Sequence, residues 1–433
     1  MAFTTKSVLK KLFNRQIFCC LQFRIRRNHI IQNTLSRINE NGEAIIYIHW
    51  PYCMKRCTYC NFNKYIHNNV NHSRMLSCLR KEIKYLLQLS GIKNIKSIYF
   101  GGGTPSLAKP STINSCIECI SDNSKLHDNA EITLECNPTN AESNLLRDFK
   151  LAGVNRLSIG IQALDNHDLK VMGRNHNSLE ALKCLDISKN IFPGSTSLDM
   201  IFGRPGQSRQ SWIEELSQIL KLCDDHLSIY QLTVERGTSL FKQVKNKEII
   251  MPNDDEMADM YEDTVKILTE ANFSHYEVSN YARNGAESVH NSSYWNGTEY
   301  IGIGPGAHGR FICRGVGNKI REARIQTLEP DIWMYEVEKY GHGTRKVVFQ
   351  SSKEILEELL MMGLRTKMGI DNKLWCKYSS GISLADTFKT SEILRAYVYG
   401  GFLNFDKMRL APTEDGMRIA DTITKDLLPY IKA

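Results

Sequence analysis

Cys53-Met-Lys-Arg-Cys57-Thr-Tyr-Cys60 stands just after the apolar run at residues 44–47, three cysteines at C-x3-C-x2-C spacing. Three thiolates hold three irons of a 4Fe–4S cluster and leave the fourth iron open. An open iron is a chemical site, because a small molecule takes the vacant position. A structural zinc wants a fourth, closing protein ligand. The nearest candidates, His49 and Cys78, stand at no customary finger spacing. The motif therefore points to redox chemistry.

The 433 residues, 42% of them hydrophobic, suffice for a main domain and a smaller one. The longest apolar runs fall short of the ~18 residues that span a bilayer, so no transmembrane segment is expected and peripheral membrane contact stays open. Thirteen cysteines without even pairing read as scattered thiols plus one tight cluster, the usage of a reducing compartment. The net charge of +8 is local. Residues 1–39 carry eight basic residues (Lys6, Lys10, Lys11, Arg15, Arg24, Arg26, Arg27, Arg37) and no acid, and the remainder balances at 47 basic and 47 acidic residues. A body without net charge gives no electrostatic case for nucleic-acid binding. Val8, Leu9, Leu12 and Phe13 fall on one helical face of the basic segment, so residues 1–39 read as a mitochondrial transit peptide. A disordered basic tail is the alternative reading.

From residue 45 to about 307, β-rich runs alternate with helical patterns. Candidate strands lie at 45–49, 97–100, 131–135, 156–161, 197–201 and 227–233, with helices such as 75–89 and 165–172 between them. Regular alternation argues for an α/β fold with a parallel sheet and crossover helices. The strand ends are polar or glycine-rich: the cysteine loop, Gly101-Gly102-Gly103-Thr104-Pro105, Glu135-Cys136-Asn137-Pro138, Gln162, Asp199, and Gln231 with Thr233. One such end is ordinary turn chemistry. Six in a row converge at the C-terminal face of a β/α barrel, where active sites are built. Beyond about residue 329 the pattern changes to helices at 355–364 and 394–399, a hairpin near 402–411 and a last helix from 413. The expected division is 1–39 transit peptide, 40–328 barrel, and 329–433 a small, mostly helical, winged-helix-like domain.

Gly101, Gly102 and Gly103 let backbone come close to a ligand and expose N–H groups. A zwitterion with its amine and carboxylate on the open iron suits such a loop. Glu135 and Asp199 fit the amine or ribose hydroxyls, and Arg174 fits the carboxylate. A surface arginine at a helix end is the plain reading of Arg174. Tyr59 either covers the cluster or packs in the core. Cys116 and Cys119 have redox spacing but read as buried helix thiols. Cys136 stands near enough to approach the cluster without being needed for it.

Together, the cysteine loop, Gly-Gly-Gly-Thr-Pro, Glu135, and Arg156-Leu-Ser-Ile-Gly-Ile-Gln162 followed by Gly173-Arg174 resemble the radical S-adenosylmethionine superfamily. More narrowly they resemble the branch holding oxygen-independent coproporphyrinogen III oxidase and the heme chaperones, over residues 43–430. The resemblance implies a partial, six-stranded (β/α)6 barrel. It implies that Cys53, Cys57 and Cys60 ligate the cluster. S-adenosylmethionine would then meet Tyr47, Tyr59, Gly102, Gly103, Thr104, Glu135, Gln162, Arg174 and Asp199.

Two features separate the branch's members. The oxidase carries a further cysteine two residues after the third, where this chain has Phe62. His290-Asn-Ser-Ser-Tyr294-Trp295 resembles the proposed heme-binding signature of the chaperones. His is a good axial ligand, and Tyr and Trp give flat apolar contact to a porphyrin. A structural, hydrogen-bonded histidine is the plain reading of His290; His308 is a weaker second ligand. The expectation is a mitochondrial chaperone that passes heme to a heme-requiring apoprotein, such as a respiratory component, and takes electrons from a reductant protein. The alternative is a porphyrinogen oxidase.

Overall fold

The computed structural model describes residues 42–432 apart from 68, 318 and 319. The expected transit peptide lies outside the described residues. The chain divides into two compact units, one of residues 41–294 with 298–350, the other including 351–433 with 295–297.

The larger unit is built on a twelve-stranded sheet. Six strands run parallel, side by side in chain order: β1 (Glu43–Trp50), β2 (Asn94–Gly102), β3 (Lys125–Cys136), β4 (Arg156–Gln162), β5 (Thr196–Phe202) and β6 (His226–Gln231). Beyond β6, a hairpin of β7 (Ser274–Glu277) and β8 (Asn280–Ala282) pairs antiparallel through β8. On the other side, β9 (Glu299–Ile303) lies parallel to β1, and β10 (His308–Ile312), β11 (Arg321–Gln326) and β12 (Thr344–Phe349) continue antiparallel. The two outermost strands, β7 and β12, do not pair with each other, so the barrel is partial. Residues 329–350, grouped from the sequence with the C-terminal domain, form a helix and β12, and β12 pairs with β11 in the main sheet.

Period-two alternation decides which side chains turn out. Ile46, Ile48, Ile98, Phe100, Leu134, Leu157, Ile159, Leu198 and Leu227 meet helices on the outer face. Those helices include α1 (His72–Ser90), α2 (Pro110–Ser121), α3 (Ser178–Ile191) and α4 (Arg209–Leu222). Their ends are locally specified: Asn177 and Ser208 each close a capping box, and Gly91 ends α1 in the left-handed region at φ 64°. Full burial of each such apolar side chain is worth about 1.5–3 kcal/mol. Cys136 turns outward with this set and meets Cys184 of α3, away from the cluster loop. Cys116 and Cys119 are buried in α2.

The inner face is different. Barrel interiors are ordinarily filled with branched apolar residues. Here Ser97, Tyr99, Glu131, Glu135, Arg156, Ser158, Asp199, His226 and Ser228 bond to one another or to neighbouring elements inside the sheet. Such a lumen holds together only if its polar groups are satisfied by the protein or by a ligand.

The C-terminal unit has its own core of Leu360, Leu364, Trp375, Leu410, Ile423 and Leu427. Helices Ser352–Gly363, Asn372–Tyr378, Glu392–Tyr399 and Ala420–Leu427 surround a small antiparallel sheet of Leu403–Phe405, Arg409–Pro412 and Ile370–Asp371. The Trp375 indole N–H donates to Thr387 Oγ1 at 3.0 Å, so the largest core side chain carries no orphaned donor.

Candidate functional site

The cysteine loop leaves β1 and is tied down on three sides. Tyr65 N–H donates to Pro51 O at 2.8 Å, Thr58 N–H to Met172 O at 3.0 Å, and the Asn63 amide to Pro305 O at 3.0 Å. The glycine loop after β2 runs against its start, with Gly103 N–H on Trp50 O at 2.7 Å and Thr104 N–H on Tyr52 O at 3.0 Å. All three cysteines are free thiols, Cys53 buried and Cys57 and Cys60 half-buried. The Thr104 hydroxyl donates to Cys53 Sγ at 3.3 Å, and Arg174 Nη1 to Cys57 Sγ at 3.5 Å. Among the described residues no group of three or more His, Cys, Asp or Glu side chains converges on a single metal ion. Three thiolates on three separate irons need no such convergence, whereas a closed zinc site does. Neither zinc candidate closes one: Cys78 Sγ donates to Met334 O, and both His49 nitrogens are engaged.

His49 is the neutral Nε2–H tautomer. Its Nε2 faces Asn63 O at 2.8 Å and must donate, leaving Nδ1 to accept from the Tyr47 hydroxyl at 3.1 Å. Burial pulls its pKa down to about 4, against the partial support of the Asn63 carbonyl. The same ring explains Gly102. At φ 115° that residue needs glycine, and a Cβ there would fall 2.5 Å from the imidazole. At Gly101 a Cβ would sit 2.8 Å from the Tyr47 ring and 3.0 Å from Glu135 Oε1.

Glu135 stands beneath this loop. It accepts from the Tyr99 hydroxyl at 3.0 Å and from Gly102 N–H at 3.1 Å. Burial first, and then the charge of Asp199, push its pKa up to about 7. Asp199 accepts from Ser158 Oγ at 2.9 Å, and burial raises it to about 6. A buried carboxylate raised further by a second buried carboxylate forms a site wanting a cation or several donors.

Arg174 is no surface residue. Besides Cys57 it reaches Tyr59 OH at 3.4 Å, Asn137 Oδ1 at 2.6 Å and Gly160 O at 2.7 Å. Its Nε is buried without a partner, and so is Gln162 Oε1. Gln162 holds φ 72°, left-handed for a non-glycine, at a bulge where β4 leaves β5. Buried orphaned polar atoms and a strained backbone at one mouth are marks of a ligand site. So the structure brings together Tyr47, Tyr59, Gly102, Thr104, Glu135, Gln162, Arg174 and Asp199 around the strand ends. Sequence reasoning missed Tyr99, Asn137 and Ser158. Tyr99 and Ser158 share the inward period-two register of Gly101 and Gly160, which was the available signal.

His290 lies elsewhere, on α5 (Val289–Trp295). It is buried, with Nδ1 on Ser97 Oγ at 2.8 Å and Nε2 on Tyr294 OH at 3.2 Å. Tyr99 covers its ring at 4.9 Å. Both ring nitrogens are thus engaged within the barrel, and burial alone drops its pKa to about 3. Trp295 ends α5 where the chain passes to the other unit.

The Radical SAM superfamily model matches residues 47–219, and the HemN C-terminal domain model matches 350–419. The chain is 46% identical over 425 residues to mitochondrial radical S-adenosyl methionine domain-containing protein 1 of Danio rerio, covering 98% of this chain and 95% of that one. It belongs to that family, within the radical S-adenosylmethionine superfamily. The heme chaperone HemW of Escherichia coli strain K12 is 36% identical over 266 residues, covering 61% of this chain and 69% of the relative. Coproporphyrinogen III oxidase (HemN) from Escherichia coli has the same fold, with TM-score 0.74 at 20% identity over 92% of each chain.

Membership implies a 4Fe–4S cluster and S-adenosylmethionine, and the mouth fits both. It offers three free thiols on a fixed loop, glycines where a Cβ would block approach, and orphaned polar atoms at Gln162 and Arg174. Like its close relatives, the protein is mitochondrial. Among the described residues no helix is long and apolar enough to cross a membrane.

Proposed function

We propose that the protein is a heme chaperone. It binds heme beside a 4Fe–4S cluster and S-adenosylmethionine and hands the heme to a heme-requiring apoprotein. The observation that carries this choice over the oxidase is position 62. Phe62 stands there with its ring in solvent, where the oxidase has a cysteine. The name and 36% identity of the bacterial heme chaperone support the same reading.

In this reading Cys53, Cys57 and Cys60 hold the cluster, and the hydrogen bonds from Thr104 and Arg174 to two of their sulfurs tune its potential. S-adenosylmethionine would be held at this mouth by Glu135 on its amine, by Gly102 and Gly103 at close approach, by Gln162 and Asp199 on its ribose side, and by Arg174 on its carboxylate through the unpaired Nε. Tyr47 and Tyr59 wall the pocket and exclude water. When bound, the cluster supplies one-electron reduction of the sulfonium. Heme contact is assigned to α5 through Tyr294 and Trp295, and His290, with both ring nitrogens engaged by Ser97 and Tyr294, is not assigned as the iron ligand.

One anaerobic assay tests the choice. The cluster-loaded protein is mixed with coproporphyrinogen III, S-adenosylmethionine and a reductant, and the porphyrin is weighed by mass spectrometry. Untouched porphyrin, followed by stoichiometric heme uptake and transfer to an apoprotein, is the expected result. Loss of carbon dioxide with 5′-deoxyadenosine formed makes the protein an oxidase.

A further inference from the structure

Arg204 is a buried cation outside the set of residues that face the mouth. It follows β5 in the turn Gly203-Arg204-Pro205-Gly206 and is only 3% exposed. Every nitrogen of its guanidinium is engaged. Nη1 donates to Ile201 O at 2.5 Å and, more loosely, to Gln162 O at 3.4 Å. Nε donates to Asp168 Oδ2 at 2.8 Å, and Nη2 to Glu215 Oε2 at 2.5 Å. The other oxygen of Glu215, on α4, accepts from Leu164 N–H at 2.6 Å. Buried ion pairs add little stability over apolar packing of the same volume, so the arrangement calls for a reason in geometry.

The contacts lead to the mouth by two routes. Along the chain, Arg204 takes Gln162 O and Glu215 takes Leu164 N–H, so the segment in which Gln162 holds φ 72° is gripped at both ends. Across the fold, Asp168 sits on the short helix Asn166–Val171. Just past that helix Arg174 N–H donates to Leu169 O at 2.9 Å. Val171 O and Met172 O accept from Thr58, between the second and third cysteines, at 3.0 Å each. Gln162 and Arg174 are the two residues at this mouth whose buried polar atoms lack a protein partner. A planar guanidinium fixes several acceptors in set directions at once, which an ammonium does not.

We propose that Arg204 is a positioning residue for S-adenosylmethionine. It holds the Gln162 peptide in its left-handed conformation and the Asn166–Val171 helix in place, and so presents Gln162 to the ribose side and Arg174 to the carboxylate. It acts through these two residues and not by contact. The inference rests on the assignment of S-adenosylmethionine to this mouth.

Arg204→Lys separates charge from geometry. Lysine keeps a positive charge beside Asp168 and Glu215, but one ammonium cannot hold both carboxylates and both carbonyls together. The cluster-loaded full chain is titrated anaerobically with S-adenosylmethionine by calorimetry, while cluster absorbance and denaturant unfolding are followed in parallel. R204K is expected to keep the cluster and weaken binding ~10-fold. Asp168→Asn, at a half-buried carboxylate, cuts only the arm to the helix and is expected to weaken binding ~3-fold, which keeps the test decisive should R204K not fold. A double-mutant cycle then traces the route. Gln162→Ala alone should weaken binding ~10-fold, and R204K/Q162A no more than ~20-fold, against the ~100-fold of independent sites. Unchanged affinity in the folded variants, with only stability lowered, makes Arg204 a structural ion and overturns the proposal. Additive losses in the cycle also overturn it, because they place the effect away from Gln162. A wild-type protein that keeps its cluster but takes up no S-adenosylmethionine would instead sink the reading of the mouth, and this inference with it.

Discussion

The lower half of the barrel lumen and its mouth are lined by the same kinds of residue, but their polar groups are satisfied differently. In the lower half, Glu131 accepts from Val289 N–H at 3.0 Å and His290 N–H at 2.8 Å and pairs with Arg156 at 3.5 Å. Arg156 also donates to Ala286 O, and His226 bridges Ser197 and Tyr276. These groups find their partners in the protein. Toward the mouth, Thr133 Oγ1, Gln162 Oε1 and Arg174 Nε have none, and Glu135 and Asp199 oppose each other. Polarity alone therefore does not mark a site. Within the lumen, what sets the mouth apart is polarity that the fold leaves unsatisfied and that a ligand can repay.

The comparison can be broken by substitution. Cys57→Ala should remove the cluster's visible absorbance entirely, since two thiolates do not hold the cluster; a retained band would move the ligands elsewhere. In the lower half, Glu131→Gln leaves Arg156 buried without its counter-charge and should cost about 3–5 kcal/mol in denaturant unfolding. His290→Ala loses two buried hydrogen bonds and opens a cavity, at about 2–4 kcal/mol. Because both its ring nitrogens are already engaged, heme affinity should change less than ~3-fold; a ~10-fold loss in a folded variant would put iron on this imidazole.

The mouth should answer the other way. Glu135→Gln removes a buried charge facing Asp199, so at pH 8 the ligand-free variant should unfold no earlier than the wild type, yet bind S-adenosylmethionine at least ~10-fold more weakly, about 1.4 kcal/mol. If it unfolds much earlier, the mouth is structural like the half beneath it.

The smallest effect is one of pH. Glu135 titrates near 7 in the folded chain, and a cationic ligand selects its ionised form. Affinity should therefore plateau above pH 7 and fall about tenfold per unit below it. Stability of the ligand-free chain runs oppositely. A carboxyl whose pKa is raised by folding contributes most below its unfolded pKa, and that contribution is lost as pH rises through about 7. Calorimetric titrations at pH 6 and 8, with Glu135→Gln as the flat control, check the sign.

The barrel was legible in the sequence because its six strands are short, buried on the outer face and separated by strong helical patterns. The candidate strands at 45–49, 97–100, 131–135, 156–161, 197–201 and 227–233 each fall on an observed strand to within a few residues. The antiparallel extension was not legible. β12 reads Thr-Arg-Lys-Val-Val-Phe, half-buried and exposed in alternation, and only its pairing with β11 makes it a strand. In the site, single residues with distinctive chemistry stood out, whereas Tyr99, Asn137 and Ser158 act by orienting others and resemble any core polar residue. His290 shows the converse. Its neighbours in sequence suggested a heme ligand beside the plain structural reading, but Ser97, distant in the chain, supplies the bond that encloses it.

Gln162 carries one more consequence. An L-residue in the left-handed region is held at a cost of about 1–2 kcal/mol, a tension that glycine would release. Selection of random variants for heat resistance alone should thus drift toward Gln162→Gly, since the ligand-free protein gains by relaxing. Such a winner would be a sturdier protein with a deafened mouth. Durability and ligand recognition pull this one peptide unit in opposite directions.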